Sequence, residues 1–97
     1  MLSKKERSKL VGQRIIEARK DKGLSQVGLA TKLAERYGTD PESERRTLGN
    51  NERGAYEPRL HRLEAIAEAT EKPLEFFAVE EGNGDGDRPF RSTKAAA

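Results

Sequence analysis

The first apolar stripe of the chain consists of Val11, Ile15 and Ala18, which recur at the three- and four-residue spacing of one helix face. Leu10 and Ile16 widen this stripe, while lysines and arginines occupy the remaining faces. The pattern predicts an amphipathic first helix that packs one side against a core.

Capping residues indicate where the first two helices begin and end. Ser3, with Glu6 three residues later, has the form of a capping box and predicts a first helix from there to Asp21. Ser25 is in position to cap a second helix. The glycines predicted to end these two helices are Gly23 and Gly38.

The stretch from residue 39 to residue 54 carries start and stop signals for a third helix. Thr39 or Asp40 can cap it, and Pro41 suits a first turn, where a missing N–H costs nothing. Gly54 can end it in a left-handed conformation. Only Leu48 is a large apolar residue within the stretch, so we expect most of this helix surface to be available to a partner.

The second and third helices are predicted to pack on each other as a helix-turn-helix. Leu29, Ala30 and Leu33 repeat at helical spacing, and Tyr37 extends their face by one turn. Residues 38–40 leave only a short connection, which forces a steep packing angle. The small Ala30 permits the close approach.

A fourth helix and a closing turn complete the predicted domain. After the link 55–58 comes another apolar stripe, and Pro73 interrupts it before a final short helix or turn at residues 74–77. Glycine then alternates with polar residues, which predicts a domain of residues 1–79 followed by a disordered polar tail, residues 80–97. The stripe of the fourth helix is Leu60, Leu63, Ile66 and Ala67.

The composition excludes several classes of protein. The 97 residues include no cysteine, which rules out a disulfide scaffold and a cysteine-ligated metal site. No apolar run approaches the roughly 18 residues of a membrane span. The first residues lack the apolar core of a secretory signal, so we expect a cytoplasmic protein without membrane contact.

Charge is distributed unevenly although the net charge is only +2. Residues 1–22 carry eight lysines and arginines against three acidic residues, whereas residues 63–87 carry one lysine against eight acidic residues. A polyanion would be attracted to the first region and repelled by the second. The alternative is that both regions are solvated helix faces.

The third helix has side chains suited to reading DNA bases. Arg45 and Arg46 lie near its start, and Asn50 lies four residues after Arg46 on the same side. Arginine and asparagine can bind guanine and adenine edges bidentately in the major groove.

His61 is the only histidine, and the glutamates of the fourth helix have no nucleophile or metal ligands beside them, so we predict no metal site and no enzyme.

The arrangement resembles the phage-repressor and Cro type helix-turn-helix family, also called the xenobiotic-response-element (XRE) family. The resemblance covers roughly residues 10–77. It implies a compact all-α, lambda-repressor-like domain of five helices that binds operator DNA as a dimer, with the third helix in the major groove. The matching segments are VGQRIIEARKDKGLSQ, LATKL, TLGNNERG and EPRLHRLEAIAEATEKPLEFF.

The same resemblance assigns DNA contacts by position. Gln26, at the start of the second helix, corresponds to a residue that contacts phosphate and braces the recognition helix. Gly49 would contribute no side chain but could let the helix approach the bases. The predicted base contacts are Arg45, Arg46, Gly49 and Asn50, and the predicted phosphate contacts are Gln26, Tyr56, Arg59, Arg14 and Lys9.

Some positions depart from the family pattern. The interval from Leu33 to Leu48 is longer than usual, which implies an extra turn on the second helix, on the third helix or on both. Asn51 stands where the family has a buried apolar residue, and an unpaired buried amide would cost about 1–3 kcal/mol. We therefore predict that Asn51 is hydrogen-bonded to neighbouring backbone or is partly exposed. Asp40, Glu42 and Glu44 would stabilise the start of the third helix but repel phosphates close to them.

The predicted function is a sequence-specific DNA-binding transcriptional regulator, acting as a repressor. It would bind a double-stranded operator as a homodimer without cofactor, metal or small-molecule ligand. The alternative is a protein-interaction module on the same fold, such as an antitoxin or adaptor. Such a module would bind its partner through the acidic fourth helix and the Phe76–Phe77 region.

Overall fold

The computed structural model describes residues 2–78 of the chain. Within that range all regular structure is helical and no strand is present. The tail that the sequence predicts to be disordered, residues 80–97, lies outside the described residues. The elements are α1 (Lys4–Lys22), α2 (Gln26–Tyr37), α3 (Pro41–Arg53), α4 (Leu60–Thr70) and one 3-10 turn, η1 (Leu74–Phe77).

The all-α class predicted from the sequence is confirmed, with one difference in the number of α-helices. The fifth helix of the expected arrangement is the single 3-10 turn η1, which begins directly after Pro73. Among the described residues, no helix has the length and apolar character needed to cross a membrane.

Local capping sets the helix ends where the sequence predicts them. In the capping box of α1, the Glu6 carboxylate accepts the N–H of Ser3 at 2.8 Å and the Ser3 hydroxyl accepts the N–H of Glu6 at 3.1 Å. Asp40, rather than Thr39, caps α3, because its carboxylate accepts the N–H of Ser43 at 3.0 Å. The glycines that end α1, α2 and α3 are Gly23, Gly38 and Gly54.

The apolar core is built by all four helices and η1. Leu48 is the one large apolar side chain that α3 contributes, and it is fully buried. Ala30 is buried as well, as its predicted role between α2 and α3 requires. The buried apolar residues are Val11, Ile15, Ala18, Leu29, Ala30, Leu33, Ala34, Leu48, Ala65, Ile66, Ala67 and Phe77.

The predicted apolar stripe of α4 is wrong at Leu60, which is 55% exposed. At roughly 3.6 residues per turn, Leu60 lies about 120° around the helix from the fully buried Ile66, whereas Arg62 lies about 40° from it. An arginine therefore holds the inward position on the first turn of α4. Through this arginine, α4 forms hydrogen bonds with Asn51 and Glu44 of α3.

Glycines allow α1 to lie directly against the C-terminal half of α3. A Cβ atom at Gly12 would stand 2.4 Å from the carbonyl oxygen of Glu52 and 2.6 Å from that of Asn51. At the end of α3, Gly54 has φ of 82°, and a Cβ there would be 2.8 Å from the Cα of Lys9. The position of α3 thus depends on backbone-to-backbone contact with α1.

Candidate nucleic-acid interface

Five polar side chains at three- and four-residue spacing form the outward face of α3. Within residues 2–78, no ion pair or side-chain hydrogen bond engages Arg46. Asn50 accepts a hydrogen bond from the guanidinium of Arg53, one turn further along. Of the five, Asn50 is half-buried and the other four are exposed. The outward face of α3 consists of Ser43, Arg46, Thr47, Asn50 and Arg53.

Arg45 lies beside the outward face and is held by a carboxylate. Its Nη2 donates to Oε2 of Glu42 at 2.8 Å, and both side chains are exposed. The hydrogen bond and charge of Arg45 lower the pKa of Glu42, and the same contact raises the pKa of Arg45. Part of the Arg45 guanidinium is therefore already engaged and its charge partly compensated by Glu42, whereas Arg46 has no such partner within residues 2–78.

Gly49 is buried and faces α2. A Cβ atom on it would lie 3.8 Å from Nε2 of Gln26 and 3.3 Å from Nη1 of Arg53. The glycine thus makes room for two polar side chains that lie over it. Its contact with bases stays a prediction. Its position shows a second role, which is to leave space for the side chains of Gln26 and Arg53.

A buried charge cluster braces α3 against α1 and α2. Glu52, only 7% exposed, accepts two hydrogen bonds from Arg19, from Nε at 2.8 Å and from Nη2 at 3.1 Å. Gln26 adds a third, with its Nε2 at 3.0 Å from Oε1 of Glu52. Arg19 also donates to the carbonyl of Leu24 at 3.3 Å. Gln26 therefore contacts the predicted recognition helix, as expected of a bracing residue.

Sequence reasoning did not identify Arg19 or Glu52. A signal was available, because Glu52 follows Leu48 by four residues and so shares the inward side of α3. A carboxylate at an inward position needs a partner, but the sequence does not show which basic residue supplies it.

A second polar network joins α3 to α4. Glu44 is buried and accepts hydrogen bonds from Nη1 of Arg62 at 2.9 Å and from the hydroxyl of Thr39 at 2.7 Å. Nε of Arg62 donates to Oδ1 of Asn51 at 2.9 Å, and Nδ2 of Asn51 donates to the carbonyl of Tyr56 at 3.0 Å. The chain of contacts runs from the start of α3 to the loop after it.

This network settles two of the sequence-based expectations. Asn51 is 3% exposed and bonded to the backbone of Tyr56, which confirms the predicted backbone hydrogen bond. The expectation that Glu44 would repel phosphates is wrong, because its carboxylate points into the domain and pairs with Arg62. The other two carboxylates at the start of α3, those of Asp40 and Glu42, are exposed, so their expected repulsion of phosphates stays a prediction.

The predicted phosphate contacts outside α3 do not all lie together. Tyr56, in the loop after α3, is 66% exposed, and Arg59 is exposed at the start of α4. Lys9 lies against Gly54 at the end of α3. Arg14 instead stands over the ring of Phe76 in η1, 5.4 Å from its centroid. Arg14 is thus directed toward η1, apart from the residues at α3.

The Phe76–Phe77 region is not an open apolar surface. Phe77 is fully buried, and its ring meets Phe76 edge to face with 5.3 Å between centroids. Phe76 is partly buried and is flanked by the cations of Arg14 and Lys72. The aromatic residues therefore complete the core, which removes the main support for a partner-binding site there.

The helices α2 and α3 are joined by the short segment 38–40, and α3 presents a polar, basic face while its inward side is held by α1, α2 and α4. This arrangement defines a helix-turn-helix protein. A family model described as helix-turn-helix matches residues 15–77, more than half of the chain. The chain belongs to the XRE-type helix-turn-helix family, the Cro/C1 family. This is a family of DNA-binding regulatory domains and not of enzymes. Comparisons with curated proteins and with solved structures gave no significant match.

Proposed function

We propose that the protein is a sequence-specific transcriptional repressor that inserts α3 into the major groove of an operator. The observation that carries this proposal is the outward face of α3, where Arg46 is exposed and has no partner within residues 2–78, while Glu44 and Glu52 are turned inward. An exposed guanidinium group without a protein partner can donate two hydrogen bonds to the acceptor edge of guanine. The two buried networks keep the helix rigid, so little order has to be gained on binding.

Phosphate contacts would supply most of the affinity and fix the register of α3. Lys9 lies against Gly54 at the C-terminal end of α3, and Tyr56 and Arg59 are exposed in the segment that follows α3. Gln26 gives one N–H of its amide to Glu52 and retains the second for a phosphate oxygen. Neutralised phosphates release counterions, so binding should weaken steeply as salt concentration rises.

Replacing Arg46 by alanine should weaken operator binding by at least about fivefold, the effect of losing one bidentate base contact. Arg45→Ala should have a smaller effect, because Arg45 is tethered to Glu42. The measurement is a fluorescence anisotropy titration against DNA captured from genomic fragments, at two salt concentrations. Arg36→Ala is the matched control, since it removes an exposed arginine that pairs with Glu68 and lies off the outward face.

The outcomes of this titration distinguish a DNA-binding regulator from a protein-interaction module. Binding that survives the combined Arg45→Ala and Arg46→Ala change undiminished would contradict the proposed base contacts of both arginines. No binding by the unaltered protein at any low salt concentration would refute the proposed function and favour a protein-interaction module.

The proposal includes a homodimer on a two-fold symmetric operator. A single helix contacts few base pairs, and dimers of helix-turn-helix proteins use two half-sites about one turn of DNA apart. Repression then follows from occupancy alone. Sedimentation of the protein with its captured DNA should give two chains per duplex, and a complex of one chain per duplex would contradict this.

A further inference from the structure

We infer that Asn50 and Arg53 act as one hydrogen-bond donor unit that reads the acceptor edge of a guanine, and that Gly49 provides the space this unit occupies. The inference rests on the proposed function and adds a base preference to it. Arg53 was not among the residues that the sequence analysis selected, although it follows Asn50 by three residues on the same side of α3.

The geometry of the pair decides which atoms remain for DNA. Nη2 of Arg53 donates to Oδ1 of Asn50, so a cationic donor takes one of the two acceptor sites of the amide oxygen, while the amide nitrogen keeps two N–H groups that no hydrogen bond within residues 2–78 engages. The guanidinium of Arg53 is exposed and has further N–H groups. The pair therefore presents mainly donors, and the acceptor site that remains on the amide oxygen lies beside the positive charge of Arg53.

This change of pattern alters the base that fits. An asparagine bound bidentately to adenine accepts from N6 and donates to N7. With Arg53 at Oδ1, a cationic donor would lie against the N6 amino group of adenine. Guanine offers two acceptors, N7 and O6, to the major groove and meets only donors from this pair. Cytosine presents an amino donor and is disfavoured for the same reason as adenine.

Gly49 is part of the unit because of where its missing side chain would lie. A Cβ atom would come within 3.3 Å of Nη1 of Arg53, closer than an ordinary van der Waals contact, and 3.8 Å from Nε2 of Gln26. Glycine inside a helix is less stable than alanine, so its presence has a cost that the space for Arg53 explains. The fold does not require this glycine, because only the ends of flexible side chains are nearby.

The test uses the full-length protein and a half-site selected from random DNA by the unaltered protein. At each guanine of that half-site, 7-deazaguanine replaces guanine, which removes the N7 acceptor and leaves base pairing intact. We expect one guanine at which this replacement weakens binding by at least about fivefold for the unaltered protein. Arg53→Ala should bind the two duplexes equally.

Two further variants test whether recognition of guanine depends on the paired side chains of Asn50 and Arg53 or only on the loss of a positive charge. Gly49→Ala keeps both side chains but displaces the guanidinium, so it should reduce the discrimination at the same guanine while the helix content measured by circular dichroism is unchanged. Arg36→Ala removes an equal charge elsewhere and should leave the discrimination intact.

The inference is overturned if adenine, thymine or cytosine is selected at every position sensitive to Arg53→Ala. It is also overturned if Arg53→Ala weakens binding to all sequences equally and lowers the salt slope by about one, which marks a phosphate contact. Sequence-specific binding that needs Arg46 but no guanine N7 would reject this inference alone. Absence of DNA binding by the unaltered protein would reject the proposed function with it.

Discussion

Replacing Glu52 by alanine should lower the free energy of unfolding by about 3–5 kcal/mol, the cost of leaving a buried charge without its partner. The side chain of Arg19 is only 13% exposed and gives two hydrogen bonds to Glu52. Gln26 would lose its partner as well. Small domains have only about 5–15 kcal/mol of stability, so this variant should be largely unfolded in moderate urea.

Two controls accompany this measurement by urea denaturation. Glu42→Ala removes a carboxylate from the exposed pair with Arg45 and should barely move the unfolding midpoint. Changing both members of the buried pair, Arg19→Met with Glu52→Leu, should be less harmful than Glu52→Ala alone, because no unpaired charge remains. A midpoint for Glu52→Ala equal to that of Glu42→Ala would mean that the cluster does not stabilise the fold.

Replacing Gly12 by alanine should destabilise the protein by about 1–3 kcal/mol, as overpacking does in well-packed regions. In an isolated helix the same change would be stabilising by about 0.5–1 kcal/mol. Here the new Cβ would stand within 2.6 Å of two carbonyl oxygens of α3, those of Glu52 and Asn51. Backbone atoms cannot rotate away, so α1 and α3 must separate.

The matched control for Gly12→Ala is Gly49→Ala, because both glycines are buried inside helices. The neighbours of Gly49 are the ends of the Arg53 and Gln26 side chains, which can move. Thermal unfolding should therefore show opposite shifts, downward for Gly12→Ala and upward or unchanged for Gly49→Ala. Shifts of the same sign would show that intrinsic helix preference, and not the contact between α1 and α3, governs both positions.

Because α3 has an inward side and an outward face, substitutions on it should affect either the stability of the fold or the binding of DNA. Its inward side is occupied by Leu48 and by charges that find partners in α1, α2 and α4. Within residues 2–78, its outward face has no such partners in other helices, and its side-chain hydrogen bonds are local ones, between Asn50 and Arg53 and between Ser43 and the capping Asp40. Substitutions on the inward side should thus affect folding first, and substitutions on the outward face should affect DNA binding at nearly constant stability.

The amino-acid sequence by itself determined the helix ends and most of the core. Each end depends on groups a few residues apart, such as Ser3 with Glu6 or Asp40 with Ser43, so local hydrogen bonding is sufficient to define it. The family was recognisable for a related reason, since its motifs lie in short contiguous segments. Arg46 could likewise be singled out from its spacing to Asn50.

Only the tertiary structure decided which charged residues turn inward. Arg62 is inside and Leu60 outside, although the apolar pattern favours the reverse. The partner of Glu52 is Arg19, which is 33 residues away along the chain, and no local pattern specifies that pairing. A charged side chain can be buried only where a partner from another helix meets it, so its orientation depends on how the helices pack.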